Sequence, residues 1–451
     1  MSIRSQRVSK RSFVAVVAAA VIASMLALVS TPVSAGATVT PKRYSGLDRY
    51  ATAAAVAEAA YSSATKAIIV SGENFADGLS ASVLSGAASA PVFLTQQAAL
   101  PAVTAAAMGR VMGANKTVYI IGGENAVGAG VATTLTGLGY TVTRVSGADR
   151  AATAVAVATK AKDWAAVGTH AGLNTAIVVN DTAWADAVVA GGLSEASLYP
   201  ILMTNADSLT ASTSAALGIG SLNIKQVIIV GGTSAVSSAV ETEILATQVS
   251  SVIRVGGANR QETAKLFAEK LTGTVASGGW AWSRAKATIV TSNNFADALA
   301  SAQWNGAQNS VLLYTADSVP AETSAYIGST LVKAALTNVY AIGGTSAVPA
   351  AVLTAVDDLG TYAKAVPTIT AAEGGNTITV TFGEMMTIGG LVLANVKINN
   401  AAITNTTDIA LADPWAVENA DGTVTLTVAS HDYQVGNAVS ASPEDGGAQM
   451  M

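Results

Sequence analysis

An eleven-residue pattern occurs three times in this chain and limits the possible folds more than any other feature. It reads Arg, two residues, Gly, one residue, Asp or Asn, Arg, two residues, Thr-Ala. The copies begin at Arg43 (RYSGLDRYATA), Arg144 (RVSGADRAATA) and Arg254 (RVGGANRQETA). Their acid or amide positions, Asp48, Asp149 and Asn259, are 101 and 110 residues apart. Solenoid units repeat every ~20–50 residues, whereas this spacing is that of a small domain. Three tandem copies of one module follow. Two further marks keep step. Asn-Phe-Ala-Asp ends at Asp77 and at Asp297, with Ala-Trp-Ala-Asp ending at Asp186 between them. Gly-Gly followed by Ala-Val begins at Gly122, Gly231 and Gly343, which lie 45, 45 and 46 residues beyond those aspartates.

Within each module apolar runs alternate with alanine-rich stretches. In the first module this predicts helices over 48–61, 75–88, 102–112 and 127–138, and strands over 67–70, 92–95, 117–121 and 141–145. Strands follow at 176–179, 201–204, 226–230 and 251–255 in the second, and at 287–291, 311–314 and 338–342 in the third. Continuous Val/Ile runs bounded by glycine suit strands covered on both faces. Their alternation with helices implies parallel sheets with right-handed crossovers. The fold class is therefore α/β, with three tandem modules of parallel sheet flanked by helices over 43–143, 144–253 and 254–365. The third module shows no closing strand with an arginine. Its extra residues around Gly278-Gly279-Trp280-Ala281-Trp282 read as a surface loop.

The R-x-x-G-x-[DN]-R-x-x-T-A opening, the F-A-D turn and the I-I-G-G-x-x-A-V turn resemble the type 2 cell-wall-binding repeat of Gram-positive surface proteins. The resemblance covers about residues 43–364. It implies three α/β modules grouped around a pseudo-threefold axis. It also implies non-covalent attachment to an anionic cell-wall polymer, such as a secondary wall polysaccharide.

The ends of the chain read differently. Arg4, Arg7, Lys10 and Arg11 precede the apolar run Phe13 to Val29, and Val33-Ser34-Ala35 supplies small residues. Residues 1–35 thus read as a secretory signal peptide, and the protein as secreted to the cell wall or cell surface. No later segment reads as a membrane span. Beyond Pro367, period-two runs such as Thr377–Phe382 and Thr423–Val428 predict a small β-sandwich over 367–442. Its V-T-F-G-E-M-M run resembles bacterial immunoglobulin-like domains of surface-layer proteins. Residues 443–451 read as a disordered tail.

Composition narrows the chemistry. The chain has no cysteine, which excludes a lipobox, thiol catalysis and thiolate metal sites. Its two histidines, His170 and His431, do not recur with the repeat. Loss of the leader would take the formal charge from −5 to −9. Attraction to a polyanion must then come from local arginine clusters, and nucleic acid is disfavoured as a partner.

The candidate ligand-binding residues are the arginine pairs Arg43/Arg49, Arg144/Arg150 and Arg254/Arg260, with Asp77, Asp186 and Asp297. In each pair one arginine ends a strand and the other opens a helix. A guanidinium fork matches phosphate or carboxylate bidentately, and a helix N-terminus adds backbone donors. The alternative is that these arginines form salt bridges within or between modules, to Asp77, Asp186 and Asp297. Those aspartates follow a buried strand, where ligand sites of open α/β sheets form, or they simply favour the helix dipole. Asp48, Asp149 and Asn259 read as N-caps, with Asn259 and Glu262 in a capping box. The Gly-Gly turns lack the spacing of a dinucleotide fingerprint or a P-loop. Thr95 and Thr204 are candidates for bonding sugar hydroxyls.

No catalytic set, cofactor motif or metal cluster is legible, and triplication points away from an enzyme. The favoured function is a cell-surface protein held to the wall by its three modules. The alternatives are a self-assembling surface-layer or adhesion protein, with other surface-layer proteins as partners, and a nucleotide-binding or hydrolytic enzyme.

Overall fold

Apolar runs of four to eight residues become strands here because both sheet faces are covered. The structure, a computed structural model, describes residues 39–360 except Ala114, Asn115, Ile219, Ser221 and Ala334. Beyond these it describes strand segments between residues 368 and 450. Residues 1–35 lie outside the described residues. The chain divides into two units, one of them Val39–Thr361.

In that unit β1 spans Thr40–Tyr44. The first module contributes β2 (Lys66–Ser71), β3 (Val92–Thr95), β4 (Thr117–Ile121) and β5 (Thr141–Val145). The second contributes β6 (Thr169–His170), β7 (Leu173–Asn180), β8 (Ile201–Thr204), β9 (Gln226–Val230) and β10 (Ser251–Val255). The third adds β11 (Lys286–Thr291), β12 (Val311–Thr315) and β13 (Asn338–Ile342). Three parallel sheets result, ordered β3-β2-β4-β5, β8-β7-β9-β10 and β12-β11-β13-β1. The closing strand that the third module lacks in sequence is β1. It pairs parallel with β13, with Arg43 opposite Ala341 and Tyr44 opposite Ile342. Every arginine-bearing strand therefore closes the sheet of the preceding module, and β1 joins the chain's first described strand to its last module.

Successive residues of a strand point to opposite faces, and in the first two modules the two faces serve different cores. Ile68 and Val70 of β2, Ile177 and Val179 of β7, and Ile289 of β11 enter one cluster shared by all three modules. Ala67 and Ile69 face a separate core with Phe93, Met108 and Leu135. Ala176 and Val178 face another with Leu217, Ile229 and Ile244. The shared core is crossed by the helices that follow the first long strand of each module. These are Ala76–Ala88, the broken pair Trp184–Val188 and Gly191–Ser197, and Phe295–Gln308. They meet through small side chains. A Cβ on Gly191 would lie 2.7 Å from that of Ala302, and one on Gly306 would overlap the Glu195 carboxylate. From the same helix Gln303 donates to Val92 O (2.8 Å) and accepts from Val92 N (2.9 Å), which caps the edge of the first sheet.

Two local features escaped the pattern. β6 pairs antiparallel with the start of β7. The stretch around Gly278–Trp282, expected as a surface loop, docks instead. Trp282 is buried, the Trp280 ring lies 4.6 Å from that of His170, and its indole donates to Tyr199 Oη at 3.2 Å. Indole and imidazole both cover apolar surface, which favours packing over solvation. Among the described residues no helix is long and apolar enough to cross a membrane.

Within residues 368–450, Thr368–Ala371, Thr377–Thr381, Thr423–Val428 and Leu411–Glu418 form an antiparallel sheet in that order. Much of 367–442, on which the β-sandwich expectation rests, lies outside the described residues. In the tail expected to be disordered, Gln449–Met450 pairs with Met386–Thr387, and the other residues lie outside those described.

The shared core holds one carboxyl group that burial controls. Glu195 accepts from Tyr61 Oη at 3.1 Å, and burial pushes its carboxyl up to about 8 from the usual 4.5. Between those values the folded chain keeps a proton that the unfolded chain has lost. Stability is thus full below about 4.5 and falls as pH rises through about 8. Glu195→Gln preserves an acceptor for Tyr61, so it is expected to flatten this slope and raise the melting temperature at alkaline pH. An unchanged slope in melting scans would remove Glu195 as its source.

Candidate functional site

The eleven-residue pattern is a junction between modules, and each of its fixed positions has a structural role. The strand arginines tie down the Gly-Gly turn of the sheet they close. Arg43 donates to Gly343 O (2.6 Å) and Val348 O (2.8 Å), and Arg144 to Gly122 O (2.7 Å). Arg254 donates to Gly231 O (3.2 Å) and Val236 O (2.8 Å) and pairs with Glu241 at 2.7 Å. The pattern glycine lets the chain run against the helix it is about to enter. A Cβ on Gly147 or Gly257 would overlap Ala152 or Glu262. The pattern threonine accepts from that glycine's N–H: Thr52 from Gly46 (3.1 Å), Thr153 from Gly147 and Thr263 from Gly257 (both 3.0 Å).

The caps form as expected. Asp48 accepts from Ala51 N (2.8 Å), Asp149 from Ala152 N (2.7 Å) and Asn259 from Glu262 N (2.7 Å). Glu262 reaches back one residue further than a capping box requires, to Ala258 N at 2.6 Å.

The helix arginines point onward to the next sheet. Arg49 donates to Gly72 O (2.6 Å), Arg150 to Asp181 O (2.6 Å) and Arg260 to Ser292 O (2.7 Å). The two arginines of a pair thus serve different modules, and neither forms a direct ion pair with Asp77, Asp186 or Asp297 among the described ion pairs. Arg49 also lies over the Phe295 ring (5.6 Å) and Arg260 over the Trp184 ring (5.2 Å), attracted to the ring faces. Phe75, Trp184 and Phe295 precede the three aspartates at one repeated position. Their shared position in the three F/W-A-D marks was the signal in the sequence, and Phe295 and Trp184 lie against a helix arginine.

Each junction opens into a cleft at the C-terminal ends of the strands. Between the third and first modules it is lined by Asp48, Arg49, Asn294, Asp297 and Ser346, with a volume near 290 Å³. Between the first and second, Asn74, Asp77, Glu124, Asp149 and Arg150 line about 530 Å³. Between the second and third, Trp184, Asp186, Ser234, Asn259 and Arg260 line about 240 Å³. The structure thus brings each helix arginine together with one F/W-A-D aspartate. The strand arginines, whose donors are held by carbonyls, lie behind the Gly-Gly turn. Thr95 and Thr204 are fully buried and donate to Ala99 O and Ser208 O, so they present no hydroxyl to a ligand.

The cleft aspartates are electrostatically unusual. Burial raises Asp77 and Asp186, opposed by Arg150 for the first and by the Thr263 hydroxyl and Arg260 for the second. Burial pushes Asp297 up to about 6 against the pull of Arg49. Each carboxylate faces the first glycine of the Gly-Gly turn. Gly122, Gly231 and Gly343 have φ of 101°, 125° and 117°, and a Cβ on Gly122 or Gly343 would press on the carboxylate. Only glycine meets both demands without strain. Among the described residues no group of three His, Cys, Asp or Glu side chains could hold a metal ion.

Three repeated α/β modules with an arginine-bearing cleft at every junction make this a repeat-built α/β protein. The chain belongs to the Cell wall binding domain 2 (CWB2) family, whose sequence model matches residues 43–132, 144–241 and 254–353. It is 32% identical over 230 residues to N-acetylmuramoyl-L-alanine amidase LytC of Bacillus subtilis (strain 168), covering 51% of this chain and 43% of that protein. It is 28% identical over 359 residues to the Amidase enhancer of the same organism, covering 79% of this chain and 43% of that protein. The chain therefore spans less than half the length of these curated relatives. Among solved structures, Cwp6 from Clostridium difficile has the same fold over 72% of this chain and 48% of its own, with a TM-score of 0.62 and 22% identity. Cwp8 from Clostridium difficile aligns over 71% of this chain and 52% of its own, with a TM-score of 0.59 and 25% identity.

Three substitutions separate backbone demand from charge. Gly122→Ala should destabilise the folded state by about 1–3 kcal/mol, from positive φ and the crowded Asp77 carboxylate. Asp149→Asn should change stability by only a few tenths of a kcal/mol, since either residue caps, while Asp149→Ala should lose about 1 kcal/mol. Urea midpoints at constant m-value measure all three, and equal effects of Asn and Ala at residue 149 would refute the cap.

Proposed function

We propose that this chain is an exported, non-catalytic surface protein, held non-covalently to an anionic wall polymer through the clefts between its modules. The observation that carries this reading is the position of Arg49 and Arg260. Each is partly accessible at a helix N-terminus beside the Gly-Gly turn, in a chain whose overall charge is negative. A charge-assisted fork beside amide and hydroxyl groups suits a phosphate or carboxylate on a sugar chain. Membership of the cell-wall-binding family supports the same assignment. The non-catalytic reading is supported by that match covering repeated modules rather than one site.

The proposal extends to both ends of the chain. Residues 1–35 serve as the secretory leader, from their basic, apolar and small-residue order. Residues 367–442 form an immunoglobulin-like β-sandwich carried to the surface, a reading supported by the antiparallel pairing of Thr377–Thr381 with Thr423–Val428.

Sedimentation with isolated walls, before and after chemical removal of the anionic polymer, tests the assignment. Binding is expected to need the polymer and to weaken with added salt, as screened charge pairs do. Arg49→Gln and Arg260→Gln should each lower affinity about tenfold, the size of a lost charge-assisted bond, with folding retained. Equal binding to intact and stripped walls would refute the polymer assignment.

A further inference from the structure

The three junction clefts share a frame but differ in charge, and the difference falls on one of them. Around Arg150 stand Asp77, Glu124 and Asp149 in the cleft wall. Asp181 adds a fourth carboxylate, 4.0 Å from the guanidinium. At the position of Asp181 the other modules have Gly72 and Ser292, and at that of Glu124 they have Thr233 and Thr345. The third–first cleft sets Asp48 and Asp297 against Arg49. The second–third cleft has Asp186 alone against Arg260, because Asn259 replaces the capping aspartate. Two carboxylates stand at that cleft's outer edge. Glu322 accepts from Asn259 Nδ2 at 2.9 Å, and Glu262 from Ala258 N.

We propose that the clefts are unequal: anionic groups are held at the third–first and second–third junctions, and the first–second junction excludes them. This deepens the wall-polymer reading above and rests on it for the natural ligand. The physical basis is local. Four carboxylates around one guanidinium give a negative potential at the mouth, and a ligand phosphate or carboxylate would have to displace or approach them. In the other two clefts the guanidinium has fewer competitors, and an aromatic ring behind it, Phe295 or Trp184, holds it in place. A polymer bound at two of three clefts still gains from avidity, because one rigid body presents both sites.

The decisive substitutions fall on exposed residues and exchange each for the one at the equivalent position of another module, Asn259→Asp also removing the donor to Glu322. Glu124→Thr with Asp149→Asn gives the first–second cleft the second–third residues at those two positions, Asp181 remaining, and Thr233→Glu with Asn259→Asp does the reverse. The first measurement titrates the isotope-labelled protein with inorganic phosphate and follows backbone amides by NMR. Amides of 46–52 and 257–263 are expected to shift, and those of 147–153 to stay. In the first double variant 147–153 should join them, and in the second 257–263 should fall silent. Equal shifts at all three sets in the unaltered protein, or at none, would overturn the inequality whatever the natural ligand. The second measurement is wall affinity. Arg150→Gln should leave it within about twofold, and Glu124→Thr with Asp149→Asn should raise it about two- to fivefold per carboxylate removed. A loss with Arg150→Gln as large as with Arg49→Gln would also overturn it. Failure of the unaltered protein to bind walls at all would defeat the wall-polymer reading instead, and the phosphate titration would still decide this one.

Discussion

Close approach of three helices through small side chains is the constraint on which this architecture depends. Ala76–Ala88, Gly191–Ser197 and Phe295–Gln308 meet where Gly86, Gly191, Gly192 and Gly306 leave no room for a Cβ. That approach lets the inner faces of three sheets share one core rather than end in three separate ones. A larger side chain would separate the sheets, and overpacking of this kind is costly in a dense interior. The same closeness isolates Glu195 from water. A buried acid of this kind is neutral at mild pH because ionising it would cost more than the proton.

The second organising element is the junction. Its strand arginine belongs to one sheet and its helix arginine reaches the next, so the eleven residues connect modules rather than begin one. The connection is cyclic. β1 closes the third sheet as β5 and β10 close the first and second. Arg43 therefore holds Gly343, 300 residues away, as Arg144 holds Gly122. Such contacts are costly in loop entropy during folding, although the cost grows only slowly with length.

The proposed function rests on where the junctions open. The clefts lie at the C-terminal ends of parallel strands, beside helix N-termini, where open α/β sheets commonly hold ligands. In the proposed function a negatively charged chain would meet an anionic polymer there, at guanidinium groups fixed locally by carbonyls and aromatic rings. Repetition supplies several such places, and drift in the lining residues makes them chemically distinct.

Periodicity and turn chemistry alone determined the strands, several to the residue, and the caps at Asp48, Asp149 and Asn259. They are local, and a cap or an apolar run needs only its neighbours. The triplicated pattern also marked the helix arginines and the F/W-A-D aspartates as candidates, and the tertiary structure brought them to one cleft. Tertiary structure alone decided that Arg43 completes the third module, because strand pairing across the whole chain leaves no local trace. It decided that Thr95 and Thr204 turn inward, since a hydroxyl at a strand end suits a ligand or a nearby carbonyl equally well in sequence. It decided that Trp280 docks on His170, because an inserted segment carries no repeat to compare with. And it decided that Asp181 stands beside Arg150, since the two are 31 residues apart and meet only when the junction helix packs on the end of β7.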